Sequence, residues 1–189
     1  MNEEFQPTPS QTVGPFFGIG LSHPGDNLLV PQGNEDAVLV WGYVFDGNGD
    51  PVIDAHIEIW QPGPDGIISK AQGSIKRDGF TFTGYGRTAT DETGRYWFST
   101  LKPGATESQR SAGGQGFISV GVYARGLLDR LMTRIYMPNQ TLESSGLSDS
   151  LDERQLANMV AKLEKDGSLR FDIHLQGDRE TVFLNLGHR

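Results

Sequence analysis

Residues 114–126 read GQGFISVGVYARG, and their alternation decides the fold. From Phe117 the apolar side chains Ile118, Val120, Val122 and Ala124 recur at every second position. Phe117, Ser119, Gly121, Tyr123 and Arg125 take the positions between. Successive side chains of a strand point to opposite faces, so the first set suits a core and the second an outer face. The outer set ends in an arginine, and its use is the question that the stretch raises.

Similar runs lie on both sides. AVLVWGYVF and DAHIEIW flank the turn-rich Asp46-Gly47-Asn48-Gly49-Asp50 and predict a hairpin. GRTAT and GRYWFST, joined by Asp91-Glu92-Thr93-Gly94, predict a second. LMTRIYM is a partner for the opening strand across Gly126–Arg130, and LRFDIHLQG and TVFLNL form a closing pair about Gly177-Asp178-Arg179. With 25 glycines and 10 prolines scattered between short apolar runs, the pattern predicts an all-β chain, a β-sandwich of mixed short strands. One short helix is expected near the C-terminal end. Ser150-Leu151-Asp152-Glu153 reads as a capping box, Leu156, Met159, Val160 and Leu163 follow at helical spacing, and Asp166-Gly167 stops it. Residues 1–17, with Pro7, Pro9 and Pro15, read as an extended N-terminal arm. Residues 21–36 read as a polar loop. The segment 107–115 is too rich in Ser and Gly to assign. The 189 residues are expected to form a single domain.

Composition narrows the function. A net charge of −8 and the lack of a basic, aromatic-interleaved patch argue against a nucleic-acid partner. Without cysteine there is no disulfide, thiolate metal site or Cys nucleophile. No apolar run approaches the roughly 20 residues of a membrane helix. The opening MNEEFQPTPSQT does not read as a secretory signal, so a cytoplasmic location is expected.

Motifs of chemistry are sparse. His23, His56, His174 and His188 show no H-x-H or H-x-x-x-H spacing, and there is no G-x-S-x-G. Gly84-Tyr85-Gly86 lacks the third glycine of a phosphate loop. The remaining polar candidates are the arm Thr8–Phe17 and Arg125. Phe16 and Phe17 can anchor the arm on a core, while Gly14 and Pro15 can let another molecule approach its backbone. Arg125 is either a solvated edge charge or a guanidinium fork for a carboxylate.

Several segments together are similar to one family. TPSQTVGP, VFDGNGDPV with IEIWQ, GRTATDETGRYWFSTLKPG, YARG with TRIYM, and RFDIHLQGDRETVFLNL resemble the intradiol ring-cleaving dioxygenases, in the same order and over nearly the whole chain. The resemblance implies a β-sandwich and a non-haem Fe(III) enzyme built of α and β chains that cleaves 3,4-dihydroxybenzoate between its two hydroxyls. Catalytic chains of the family hold iron through two tyrosines and two histidines. The matching positions here are Ile68, Thr106, Phe117 and Ser119. None supplies such a ligand, so the resemblance implies no catalytic residue and no metal in this chain, and iron in a partner β subunit of a higher αβ oligomer. It also implies that Thr12, Gly14 and Pro15 wall the substrate pocket of that partner and that Arg125 holds the substrate carboxylate. Strand geometry agrees with a site elsewhere: at about 3.3 Å per residue, Ser119 and Arg125 lie roughly 20 Å apart. Two other readings stand beside this one. One is a non-catalytic β-sandwich module for assembly or binding. The other is an autonomous enzyme whose iron sits among Tyr85, Tyr96, Tyr136 and His56 or His174.

Overall fold

The computed structural model describes residues 8–14, 16–71, 78–139, 142, 147 and 150–185. Its elements in chain order are α1 (Phe17–Leu21), β1 (Val38–Phe45), β2 (His56–Trp60), β3 (Tyr85–Ala89), β4 (Arg95–Thr100), α2 (Glu107–Ser111), β5 (Phe117–Tyr123), β6 (Leu131–Tyr136), α3 (Glu153–Ala157), β7 (Lys162–Leu163), β8 (Leu169–Arg170) and β9 (Ile173–His174). One sheet has the order β4-β1-β8-β7, with β9 continuing alongside β1; the other has the order β3-β2-β5-β6. Apolar side chains of the two sheets meet between them, as expected of a sandwich. Val40, Val44, Phe98, Leu169 and Ile173 come from the first, and Ile57, Ile59, Ile118, Val120, Val122 and Ile135 from the second.

The opening strand behaves as its alternation predicts. Ile118, Val120, Val122 and Ala124 are buried, and β5 pairs with β6 in antiparallel register, Val122 opposite Leu131. The other two expected hairpins are not paired hairpins. β1 belongs to one sheet and β2 to the other, and β3 and β4 are divided in the same way. The turn signals themselves are correct. Asp46 Oδ1 accepts the N–H groups of Asn48 and Asp50 at 2.9 Å, and Phe45 bridges Pro51. Pro51 has no N–H to offer a ladder, and after one bond from Val52 N–H to the Val44 carbonyl the chain crosses to the second sheet. A turn reports that the chain reverses, not which sheet the next strand joins.

The segment read as a polar loop closes one side of the sandwich. Leu29 and Val30 N–H groups both bond to the Ser99 carbonyl, and Arg87 N–H bonds to the Asp26 carbonyl, so residues 26–30 stitch β4 to β3. Leu29 and Val30 are buried.

The C-terminal helix is present but short. Asp152, not Ser150, caps it, in a capping box with Gln155. It ends at Ala157 because Met159 and Ala161 exchange backbone hydrogen bonds with Tyr136 and Lys162–Leu163 pair with β8. Strand pairing therefore overrides the helical spacing of Met159, Val160 and Leu163. Two further helical turns lie where none was expected. α1 begins at Phe17, the last residue of the expected arm, and α2 lies in the segment left unassigned, capped by Thr106 with Gln109. Residues 8–14 carry neither helix nor strand. Within the closing TVFLNL, the described residues 181–185 are not a regular strand, although Thr181 N–H bonds to the His174 carbonyl and Leu184 N–H to that of Met132.

Candidate functional site

The face of the β3-β2-β5-β6 sheet turned away from the core carries most of the candidate residues. In β2 the alternation that sends Ile57 and Ile59 inward sends His56, Glu58 and Trp60 outward. Across the ladders Trp60 stands opposite Tyr85 and Ser119, Glu58 opposite Arg87 and Gly121, and His56 opposite Ala89 and Tyr123. On the far side Ser119 faces Arg134 and Phe117 faces Tyr136.

One end of this face holds the four positions that the resemblance compares with iron ligands. Three glycines bring their loops together. A Cβ on Gly66 would lie 2.0 Å from the Ala105 carbonyl oxygen, one on Gly104 2.1 Å from that of Pro64, and one on Gly116 2.5 Å from that of Pro103. The loop before Ile68, the segment before Thr106 and the start of β5 are thus interlocked. The donor set does not fit Fe(III). Ile68 and Phe117 have no ligating atom, and the Thr106 hydroxyl accepts Gln109 N–H at 3.3 Å as the cap of α2. The Arg134 guanidinium carbon lies 4.2 Å from the Phe117 ring centre, and Arg134 Nη1 donates to Tyr136 Oη at 3.3 Å. A fixed cation over this position opposes a metal ion electrostatically. The alternative iron set does not converge either. Tyr96 is in the core, donating to the Phe171 carbonyl at 2.5 Å, and His174 belongs to the other sheet.

The middle of the face holds a polar cluster that sequence reasoning missed. Tyr85 Oη donates to Glu58 Oε1 at 2.8 Å, Tyr123 Oη donates to Glu58 Oε2 at 3.3 Å, and Arg130 Nη1 donates to Tyr123 Oη at 3.3 Å. Burial, followed by the hydrogen bond to Glu58, pushes the Tyr85 phenol up to about 12, so it remains a neutral donor at ordinary pH. His56 is fully buried beside this cluster, and neither ring nitrogen has a hydrogen-bond partner among the described residues. Burial pushes its pKa below the usual histidine value, and Glu58 partly opposes this. The i, i+2 spacing of Asp54, His56, Glu58 and Trp60 was the signal available in the sequence.

The opposite end holds Arg125. Its Nε donates to Asp54 Oδ2, and its side chain is 59% exposed. The next residue, Gly126, donates its N–H to Thr12 Oγ1 at 2.8 Å, so the N-terminal arm is fastened beside the arginine. Beyond Thr12 the arm turns at Gly14, whose carbonyl accepts Phe17 N–H at 3.1 Å. The Phe17 ring then meets His56 edge-on at 6.3 Å. Thr12, Gly14 and Arg125 are all exposed, and a Cβ on Gly14 would meet no described atom within 4 Å. Pro15 lies outside the described residues. The fold therefore brings Thr12 and Arg125, 113 positions apart in sequence, to one corner, at the end of the sheet away from Phe117 and Ser119.

Comparison with known proteins identifies the family of the chain. A family model described as Dioxygenase matches residues 13–177. The protocatechuate 3,4-dioxygenase alpha chain of Burkholderia cepacia is 32% identical, over 95% of this chain and 97% of that one. The beta chain of the same enzyme from B. cepacia is 28% identical, over 75% of this chain and 65% of that one. Among solved structures, the dioxygenase domain of a carbohydrate-binding fusion protein from Streptomyces sp. SirexAA-E shares the fold, with a TM-score of 0.59 and 24% identity over 91% of this chain and 99% of that one. Matched over most of its length by the family model and almost end to end by an alpha chain, the protein belongs to the intradiol ring-cleaving dioxygenase family.

Proposed function

We propose that this chain is the alpha subunit of a hetero-oligomeric protocatechuate 3,4-dioxygenase and that it completes a substrate pocket whose Fe(III) belongs to the beta subunit. The observation that carries the reading is the hydrogen bond from Gly126 N–H to Thr12 Oγ1, which joins the arm to the Arg125 corner. Its near end-to-end similarity to an alpha chain supports the same reading. Iron in the partner would activate the diol toward O2, and both oxygen atoms enter the product as 3,4-dihydroxybenzoate opens to 3-carboxy-cis,cis-muconate.

This chain's part is binding and orientation. Arg125 uses Nε for Asp54, and its terminal nitrogens retain N–H donors for the substrate carboxylate, which lies away from the reacting hydroxyls. Asp54 fixes the direction of the fork. Thr12 and Gly14 stand on the arm beside it, and the resemblance assigns Pro15, outside the described residues, to the same wall. No described atom of this chain crowds Gly14, which leaves room for a partner to approach the arm there. Placing the ring correctly against its reaction partner is itself a large part of such catalysis.

The test is oxygen uptake on 3,4-dihydroxybenzoate by the chain co-purified with its iron-bearing partner. Arg125→Ala is expected to weaken substrate capture by about 1.5–3 kcal/mol, the scale of a charged hydrogen bond. That corresponds to roughly 10- to 150-fold in kcat/KM, mostly as a rise in KM. Unchanged kcat/KM would reduce Arg125 to an edge charge and the chain to an assembly subunit.

A further inference from the structure

The other sheet carries a feature on its outer side that the proposed function leaves unused. A cleft of about 240 Å³ opens beside β8 and β9, bordered by Arg154, Lys162, Arg170, Asp172, His174 and Arg179. Four formal cations thus surround it with one carboxylate. The whole chain has the opposite balance, with 24 Asp and Glu against 16 Lys and Arg.

The single carboxylate is already engaged. Arg170 grips Asp172 with both Nε and Nη2, at 3.1 and 2.8 Å. Arg170 is held further by the rings of Trp41 and Tyr43, 5.2 and 5.6 Å from its guanidinium carbon, so its position is fixed. Lys162 stands directly across the ladder from Arg170, where like charges repel. Arg154 gives one N–H to the Asp178 carbonyl at 3.1 Å, and a guanidinium has others to offer. Among the described residues neither Lys162 nor Arg179 takes part in an ion pair. The His174 ring stacks on Phe45 at 5.0 Å and borders the same cleft.

A concave surface lined by one sign of charge focuses field and raises the local concentration of the opposite ion. The donors come from four separate segments of chain, α3, β7, β8 and the turn after β9, so they converge rather than run along a track. The volume admits a small molecule and excludes a nucleic-acid strand. We propose that this cleft binds a small polyanion, a multiply charged carboxylate or a phosphate, held by Lys162, Arg179, Arg154 and Arg170.

The test is isothermal titration calorimetry on the full chain, and on the chain co-purified with its partner, with citrate and with inorganic phosphate as probes. Ionic strength is matched throughout with sodium chloride. Saturable binding near one per chain is expected for at least one probe, and the tighter of the two identifies the ligand chemistry. The combined variant Lys162→Gln/Arg179→Gln is expected to weaken that binding tenfold or more. Both residues are exposed, so the variant keeps the fold, which the thermal transition checks. Lys102→Gln, a charge removed away from the cleft, should leave binding unchanged. Absence of saturable heat, or equal heat in the combined variant, would overturn the site. Binding by the chain alone that disappears in the co-purified complex would also overturn it, in favour of a partner segment filling the cleft.

Discussion

The guanidinium of Arg134 sits over the ring of Phe117, 4.2 Å from its centre, at a position that the resemblance compares with an iron-binding histidine. The pair fills that position with apolar bulk and places a permanent positive charge on it. Restoring ligands alone should therefore fail. In a chain carrying Ile68→Tyr, Thr106→Tyr, Phe117→His and Ser119→His together, iron content is expected to stay well below one per chain. Adding Arg134→Gln should raise iron affinity about tenfold or more, since close like charges in a partly buried setting cost over 1 kcal/mol. Metal analysis and the tyrosinate-to-iron absorption band read the outcome. Equal iron with and without Arg134 would mean that the arginine is a bystander.

Thr12 fastens the arm through Gly126 N–H, while the Arg125 guanidinium is held by Asp54, which separates two ways of losing the pocket. Thr12→Val removes the acceptor for Gly126 N–H and leaves that N–H exposed to water. The loss to stability should be about 0.5–1 kcal/mol or less, the net worth of one hydrogen bond. If the arm walls the partner's pocket, KM for 3,4-dihydroxybenzoate rises in the co-purified enzyme while the thermal transition barely moves. Thr12→Ser, which keeps the hydroxyl, should restore KM. A fall in stability with unchanged KM would make the bond purely structural.

Gly42 illustrates a constraint of another kind. Any Cβ there would lie 1.8 Å from the carbonyl oxygen of Phe171, which also accepts the Tyr96 hydroxyl deep in the core. The clash is with backbone, so no side-chain rotation relieves it. Gly42→Ala is expected to cost about 3 kcal/mol or more, the upper end of overpacking penalties. Gly14→Ala, with open space around it, should cost almost nothing in the isolated chain. Denaturant unfolding of the two variants checks both, and similar losses would refute the assignment.

The legible parts of the fold were those governed by local alternation. Ile118, Val120, Val122 and Ala124 are buried because period two decides the face of a strand. Sheet membership was not legible. Asp46–Asp50 and Asp91–Gly94 are genuine turns, but each delivers the chain into the opposite sheet, and only the assembled core determines that. Met159 and Val160 kept a helical spacing that pairing with Tyr136 overrode. At the site, alternation isolated Arg125 and the resemblance added Thr12, and the fold brings the two together. Asp54 was hidden because an ion pair between residues 71 positions apart leaves no trace in spacing. The basic cleft was hidden for the same reason, its cations being scattered from residue 154 to residue 179.

His56 should give stability a pH dependence of definite sign. It is fully buried, with Phe17 edge-on to its ring and neither nitrogen partnered among the described residues. Burial disfavours the imidazolium, Arg87 adds to that, and Glu58 and Asp26 oppose it, leaving the folded-state pKa below the usual 6.5. The unfolded chain then binds more protons than the folded one between the lowered value and about 6.5, so stability rises with pH through that window. Above it both states are neutral at this residue and the dependence ends. Acidification below pH 6.5 should therefore weaken the fold before the carboxylates begin to titrate. His56→Leu, of similar volume and without polar atoms, should flatten this decline. It should also stabilise the chain by about 1 kcal/mol or more at pH 5, because a buried polar group without a partner is costly. Denaturant midpoints from pH 5 to 8 for the two proteins provide the comparison. A decline of the same slope in both would place its origin elsewhere, and a variant less stable at every pH would mean that the imidazole has a partner in solution.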